Sequence, residues 1–157
     1  VTHDQKNNTT SDQMAVLDGG VIQQVESPQE FYDRPSNLFV ANFLGTASVL
    51  KGEVEINGNE IRFVTETGDT LDLPCVFGSG TNVFLRPQNI TIQQTESEDT
   101  FQGEILHREF LGSQIRTLVR AAGTEIVVDQ SHVPEHSWFE NGATVHLRAN
   151  TAGAVLL

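Results

Sequence analysis

The sequence predicts a mainly β protein: a small closed barrel preceded by one or two short helices. Three observations carry that expectation. Short stretches of alternating apolar and polar residues, about nine or ten of them, recur at spacings of roughly 8–12 residues. Turn pairs such as Asn57-Gly58, Thr67-Gly68 and Ser79-Gly80 stand between them. Before Thr46 the pattern is different, with apolar residues clustering at helical spacing. Open sheets built from so many short strands leave edges to pair, so closure into a Greek-key barrel is the expected solution.

The bulk numbers set the frame. A chain of 157 residues is about one domain, or one domain with an appendage. Its hydrophobic fraction of 38% and aromatic fraction of 7% are low for a compact core but adequate for a β-rich one. Nine Phe supply most of the large buried surface. The single cysteine, Cys75, excludes an intramolecular disulfide and reads as a small core residue of a protein in a reducing compartment. No run approaches the ~18 apolar residues a membrane span needs, so no direct membrane insertion is expected. The net charge of −12 argues against nucleic acid, since phosphate binding needs a clustered basic surface and the nine Lys and Arg are scattered among 21 acids.

Element by element, Met14 to Leu17 is a short apolar strand that turns at Asp18-Gly19-Gly20 into Val21 to Val25. Ser27-Pro28-Gln29-Glu30 then has the form of a helix start. Ser27 accepts from a backbone N–H three residues on, Pro28 presets the first helical φ, and Glu30 closes the box. Phe31 and Tyr32 give this helix a buried face, and Pro35 stops it. Ser36 or Asn37 caps a second helix whose Leu38, Phe39, Val40, Phe43 and Leu44 lie on one side, and Gly45 ends it. Ala47 to Leu50 and Glu53 to Ile56 form one long or bent strand with Gly52 at the bend. Ile61 to Val64 and Leu71 to Leu73 follow as strands. After a loop at Gly78-Ser79-Gly80 comes Asn82 to Arg86, broken by Pro87 and resumed at Asn89 to Gln93. An acidic turn (Thr95 to Thr100) leads to strands over Phe101 to Leu111, Ile115 to Arg120 and Glu125 to Val128. Ser131 to Asn141 is irregular, and Val145 to Arg148 and Ala154 to Leu157 close the chain.

Three stretches carry a resemblance. Gly20-Val21-Ile22-Gln23, Ser27-Pro28-Gln29-Glu30-Phe31-Tyr32, Arg34-Pro35 and Phe39-Val40-Ala41-Asn42-Phe43-Leu44-Gly45 resemble the connector that joins the nucleotide-binding domain of ABC importer ATP-binding subunits to their C-terminal regulatory domain. Val1-Thr2-His3-Asp4-Gln5 looks like the switch-histidine loop of the same family. Phe84-Leu85-Arg86-Pro87-Gln88-Asn89-Ile90 looks like a segment of its TOBE domain. The matches fall in the family's order, and the importers most resembled are of the ferric-iron, polyamine and sugar type. The chain departs from the family at Lys6 to Ser11, where relatives carry a short helix and this sequence has six polar residues.

The resemblance implies an OB-like/TOBE β-barrel with one or two short N-terminal linker helices. It divides the chain into a remnant of a nucleotide-binding domain (1–25), a helical linker (26–45) and a TOBE-like regulatory β-domain (46–157). It further implies a regulatory and dimer-forming role: a homodimer of ATP-binding subunits that docks on the membrane subunits of a transporter. Such a protein would be cytoplasmic and peripheral to the inner face of the cell membrane. In the parent subunit His3 would be the catalytic switch histidine acting on ATP and Mg. Here there is no G-x-x-x-x-G-K-[ST] phosphate cradle, signature run or Walker B strand, so no hydrolysis is expected of this chain alone and it needs no cofactor of its own.

Other candidates come from single residues. Phe31, Tyr32, Phe39, Val40, Phe43 and Leu44 are expected to pack the linker helices onto the barrel. Arg86 reads chiefly as a structural arginine, yet with Arg116 and Trp138 it is also a candidate for ligand binding, with Arg108 and Arg120 as helpers. That is the alternative function, an OB-like domain sensing an oxyanion or the transported substrate. His132 and His136 have a chelating spacing, but Pro134 between them argues against a regular helix and no metal is expected.

Overall fold

A computed structural model describes residues 11–43, 45–74, 77–134 and 139–157. The described chain is mainly β, as expected, with thirteen strands rather than nine or ten. It opens on a hairpin of β1 (Met14–Asp18) and β2 (Val21–Glu26), antiparallel and joined by Gly19 and Gly20. Both glycines have positive φ, 56° and 83°, the geometry a two-residue turn needs to match the strand twist. Two helices follow, α1 (Pro28–Asp33) and α2 (Leu38–Phe43).

The remaining strands are β3 (Ser48–Asn57), β4 (Glu60–Thr65), β5 (Thr70–Asp72), β6 (Phe77–Gly78), β7 (Asn82–Leu85), β8 (Ile90–Gln93), β9 (Thr100–Phe110), β10 (Gln114–Ala121), β11 (Thr124–Ser131), β12 (Thr144–Ala149) and β13 (Val155–Leu156). They form a five-stranded sheet ordered β11-β10-β9-β12-β8 and a six-stranded sheet ordered β5-β4-β3-β7-β13-β6. The five-stranded sheet curls until β11 returns beside β8, which is the partly open five-stranded barrel of an OB-like fold.

A side chain links this barrel to the second sheet. Ser48, buried at the start of β3, accepts the backbone N–H of Val127 in β11 at 3.0 Å. A hydroxyl thus joins the sheets where no backbone ladder does. Gly52 sits where β3 changes partner, from β7 (Ser48 to Lys51) to β4 (Gly52 to Asn57). A Cβ there would come within 2.0 Å of the Val64 carbonyl oxygen, so the bend expected from sequence requires glycine for contact reasons.

The main core lies between the sheets, with Leu50, Phe63, Leu85, Ile105, Val119 and Leu147 fully buried. The stretch around Gly78, expected as loop, differs: Phe77–Gly78 pairs in parallel with Val155–Leu156. A two-residue strand carries no alternation that a sequence could reveal. No helix among the described residues is long and apolar enough to cross a membrane.

Candidate functional site

The site that organises the N-terminal half is the junction between the helices and the barrel, and Arg86 is its centre. The strand β7 ends at Leu85, and Pro87 begins a 3-10 turn over Pro87–Asn89. That break directs the Arg86 side chain off the sheet and underneath the helices. The residue is 4% exposed. Its Nη2 donates to the carbonyl of Tyr32 at 3.0 Å, and its Nη1 donates to those of Ala41 at 3.2 Å and Gly45 at 3.4 Å.

The Tyr32 and Ala41 carbonyls belong to the C-terminal ends of α1 and α2, where helices leave acceptors unsatisfied and carry partial negative charge, and Gly45 follows α2. One cation therefore serves the ends of both helices. Its guanidinium carbon also lies 3.9 Å from the centre of the Tyr32 ring and 4.6 Å from that of Phe84, a desolvated cation–π arrangement. Burial pulls the Arg86 pKa below the ordinary value, while Tyr32 and Asp33 push it back up. An arginine stays charged through such a shift. Gln88, two residues on, donates to the Tyr32 hydroxyl at 2.7 Å and fastens the same helix a second time.

The other end of each helix is fixed locally. The Ser27 hydroxyl accepts the Glu30 N–H at 3.3 Å and donates to the Glu30 carboxylate at 3.0 Å. Of the two cap candidates for α2, Asn37 takes the role, its Oδ1 accepting the Val40 N–H at 2.9 Å. Ser36 instead donates its hydroxyl to the Gln23 carbonyl. Two glutamines of β2 complete the frame: Gln24 bonds the Arg34 carbonyl and the Ser36 N–H, and Gln23 accepts from the Asn37 amide.

The apolar linker residues are placed differently from the barrel core. Phe31 and Val40 are fully buried with Val16 of the hairpin, and Met14 and Phe43 pack against them. This is a second small core, formed by hairpin and helices together. Phe39 is exposed and stacks on Phe43 with ring centres 6.4 Å apart. Tyr32 faces Arg86. Arg86 and Gln88 tie the helices to the barrel by polar contacts, while the buried cluster of Phe31 and Val40 is shared with the hairpin. Leu44, His3, His136 and Trp138 lie outside the described residues.

Arg116 is engaged elsewhere. Its Nε and Nη2 each donate to a carboxylate oxygen of Asp129 at 2.8 Å, across a register in which the two residues are direct partners on β10 and β11. The hydrogen bond and charge of Asp129 hold its pKa above the usual value. Arg108 donates to the Phe139 carbonyl at 3.0 Å. The structure does not bring Arg86 and Arg116 into one site. Arg86 does line a cleft of about 340 Å³ with Tyr32, Asp33, Arg34, Gln88 and Asn89 among its walls, and its Nε is buried without a hydrogen-bond partner. Among the described residues no group of three or more His, Cys, Asp or Glu side chains converges on a metal position.

Sequence reasoning passed over Gln23, Gln24 and Gln88. A signal existed for the first two: consecutive strand side chains point to opposite faces, so of two adjacent glutamines one must face whatever element packs on either side of the hairpin. Gln88 follows directly on Arg86-Pro87, where the turn carries both side chains toward α1.

An OB-like β-domain with two helices clamped on it by a buried Arg-Pro arginine defines a class, and the comparisons agree with it. Residues 83–157 match the TOBE domain family. The chain is similar to the spermidine/putrescine import ATP-binding protein PotA of Marinobacter nauticus, 35% identical over 138 residues, covering 83% of this chain and 37% of the relative. It is likewise similar to PotA of Clostridium acetobutylicum, 34% identical over 135 residues (85% and 38%), and of Roseobacter denitrificans, 28% identical over 167 aligned positions (100% and 46%). The chain spans less than half the length of these relatives.

Proposed function

We propose that this chain is the regulatory and dimer-forming part of the ATP-binding subunit of an ABC importer. In this reading it works at the cytoplasmic face of the membrane, against the transporter's membrane subunits. The relatives' names point to a spermidine- or putrescine-type solute as the cargo. ATP and Mg would be held by a nucleotide-binding domain outside residues 1–157, and His3 would be the switch histidine at its edge. This chain contributes no phosphate cradle to that chemistry.

The observation that carries the reading is the Arg86 clamp. A subunit whose nucleotide-binding domains separate and close needs a part that stays associated throughout and moves as one body. Arg86 ties both connector helices to the barrel, so displacement of the hairpin and helices is passed to residues 46–157 without slack. A regulator that binds the barrel can in the same way bias the open-to-closed equilibrium. The test uses the complete gene product assembled with its membrane subunits in vesicles. It should hydrolyse ATP and accumulate labelled spermidine, and deleting 46–157 should change coupling while nucleotide binding persists. A complete gene product that binds no ATP would end the proposal.

The cleft that Arg86 lines supports a second reading, a small-oxyanion sensor anchored on that side chain. A ligand that binds only the folded state must raise the melting temperature. Molybdate, sulfate and phosphate should then shift it in the 157-residue chain, and the Arg86→Lys variant should lose the shift. No shift with any of the three discards the sensor.

A further inference from the structure

The N-terminal hairpin carries an irregularity that the Arg86 clamp does not use. Between β1 and β2 the register runs from Val16 opposite Gln24 to Leu17 opposite Ile22, so Gln23 is an extra residue on β2. In a regular strand Gln23 and Gln24 would point to opposite faces. A one-residue bulge re-aims a side chain, and here both glutamines reach the same neighbour, the corner between α1 and α2. Val16, the partner of Gln24 across the hairpin, is buried on that side too, with Phe31 and Val40.

Pro35 sits in the middle of the corner, buried and with no N–H to give. On either side of it stand the Arg34 carbonyl and the Ser36 N–H, and Gln24 bonds both. Its Nε2 donates to the carbonyl at 3.1 Å and its Oε1 accepts the N–H at 2.8 Å. One side-chain amide, with a donor and an acceptor side by side, thus does what a neighbouring strand would do. Gln23 adds two bonds: its main-chain carbonyl accepts the Ser36 hydroxyl at 3.3 Å and its Oε1 accepts the Asn37 amide at 3.0 Å. Asn37 in turn caps α2. The bulge therefore grips the segment between the end of α1 and the start of α2, while Arg86 holds the same two helices from the barrel side at Tyr32 and Ala41.

Resting on the importer reading above, we infer that Gln24, aimed by the bulge at Gln23, is the positioning residue through which displacement of the hairpin reaches the two helices and so the barrel. The small core of Val16, Phe31 and Val40 also joins hairpin to helices, but apolar burial is non-directional. The amide fixes a register, because its two bonds hold two main-chain groups at once. Both halves of the amide are needed. Glutamate keeps an acceptor for the Ser36 N–H and, when ionised, offers the Arg34 carbonyl no donor; methionine keeps the length and offers only a weak acceptor.

The experiment uses the complete gene product assembled with its membrane subunits in vesicles, and melting curves check that each variant is folded. Two quantities are read: labelled spermidine accumulated per ATP hydrolysed, and hydrogen exchange of the Ser36 amide. Gln24→Met should keep nucleotide binding and lower the solute-to-ATP ratio about threefold or more. It should also speed Ser36 exchange about tenfold, as the loss of one hydrogen bond would. Gln24→Glu should give an intermediate ratio, and it carries the test should the methionine variant fold poorly. Ser27→Ala weakens α1 at its other end, away from the corner, and should leave the ratio unchanged. A folded Gln24 variant with the wild-type ratio overturns the coupling role. So does an equal loss of ratio in Ser27→Ala, which would trace the effect to helix stability. Unchanged Ser36 exchange in Gln24→Met overturns the grip itself. Each of these results leaves the importer reading standing, whereas a wild-type product that binds no ATP or imports no spermidine removes both.

Discussion

Two arginines on the same β-domain show how differently one residue type can serve a fold. Arg86 sits at the junction, buried, with main-chain carbonyls of α1, of α2 and of Gly45 beyond it as acceptors and the rings of Tyr32 and Phe84 close by. Arg116 lies on the outer surface of β10, partly exposed, in a bidentate pair with the residue opposite it in the sheet. The better geometry belongs to Arg116, whose two bonds are short and parallel. The larger energetic role belongs to Arg86, because the side chain is itself buried and its loss would leave three carbonyls at the junction without their donor. Location decides the magnitude, since an exposed ion pair exchanges one good solvation for another, whereas a buried carbonyl left alone keeps its full desolvation cost.

The largest expected effect follows directly. Arg86→Ala should orphan the carbonyls of Tyr32, Ala41 and Gly45 together and cost about 3 kcal/mol or more in urea unfolding. It should also split the transition, with the helices and hairpin melting before the barrel, because their own core is small. A single transition at nearly unchanged midpoint would break the comparison. Arg86→Lys should recover part of the loss, since an ammonium can reach some of these acceptors but cannot sit flat between Tyr32 and Phe84.

A middle value is expected at the start of α2. Asn37→Ala removes the cap on the Val40 N–H and the amide held by Gln23, and should cost about 1 kcal/mol. Arg116→Met should cost less, about 0.5 kcal/mol, because the pair is exposed on the arginine side and screened. Raising the salt concentration should shrink the Arg116→Met difference and leave the Arg86→Ala difference nearly as it was. Equal salt responses at the two sites would mean that Arg86 is wetter than its burial implies.

How much of this could be seen in the sequence divides along the same line. The hairpin, the Ser27 cap, a cap at Ser36 or Asn37, the helix stop at Pro35 and the bend at Gly52 were all legible, because each depends on neighbours within a few residues. The Arg86-Pro87 pair was legible as a strand break, and its arginine as structural. Its actual partners are main-chain carbonyls from residues 41 to 54 positions earlier in the chain, and no side-chain pattern marks a carbonyl. The pairing of Arg116 with Asp129 was hidden for a related reason. It needs the register of β10 against β11, which alternation alone leaves free to slip by two residues. The parallel pairing of β6 with β13 joins residues nearly eighty positions apart through strands too short to show a period.

The smallest effect concerns the two ends of α1, one capped in water and one in the interior. At the exposed end, the Ser27 hydroxyl, followed by further hydrogen bonds, holds the Glu30 carboxyl below its ordinary pKa. A carboxyl whose folded value is depressed binds its proton more weakly in the folded state. Its stabilising contribution is therefore fully present above the unfolded value of about 4.3 and is lost as the pH falls through the lower folded value. Nuclear magnetic resonance titration of the Glu30 side chain should show this depression, and Ser27→Ala should bring the midpoint back up toward the ordinary range. At the buried end, Arg86 has no such window, because its guanidinium keeps its charge across the same pH range. Acidification should therefore loosen α1 from its Ser27 end while the Tyr32 end stays clamped. Hydrogen exchange along residues 28–33 would read that order directly, and exchange beginning at the Arg86 side would reverse the assignment of strong and weak ends.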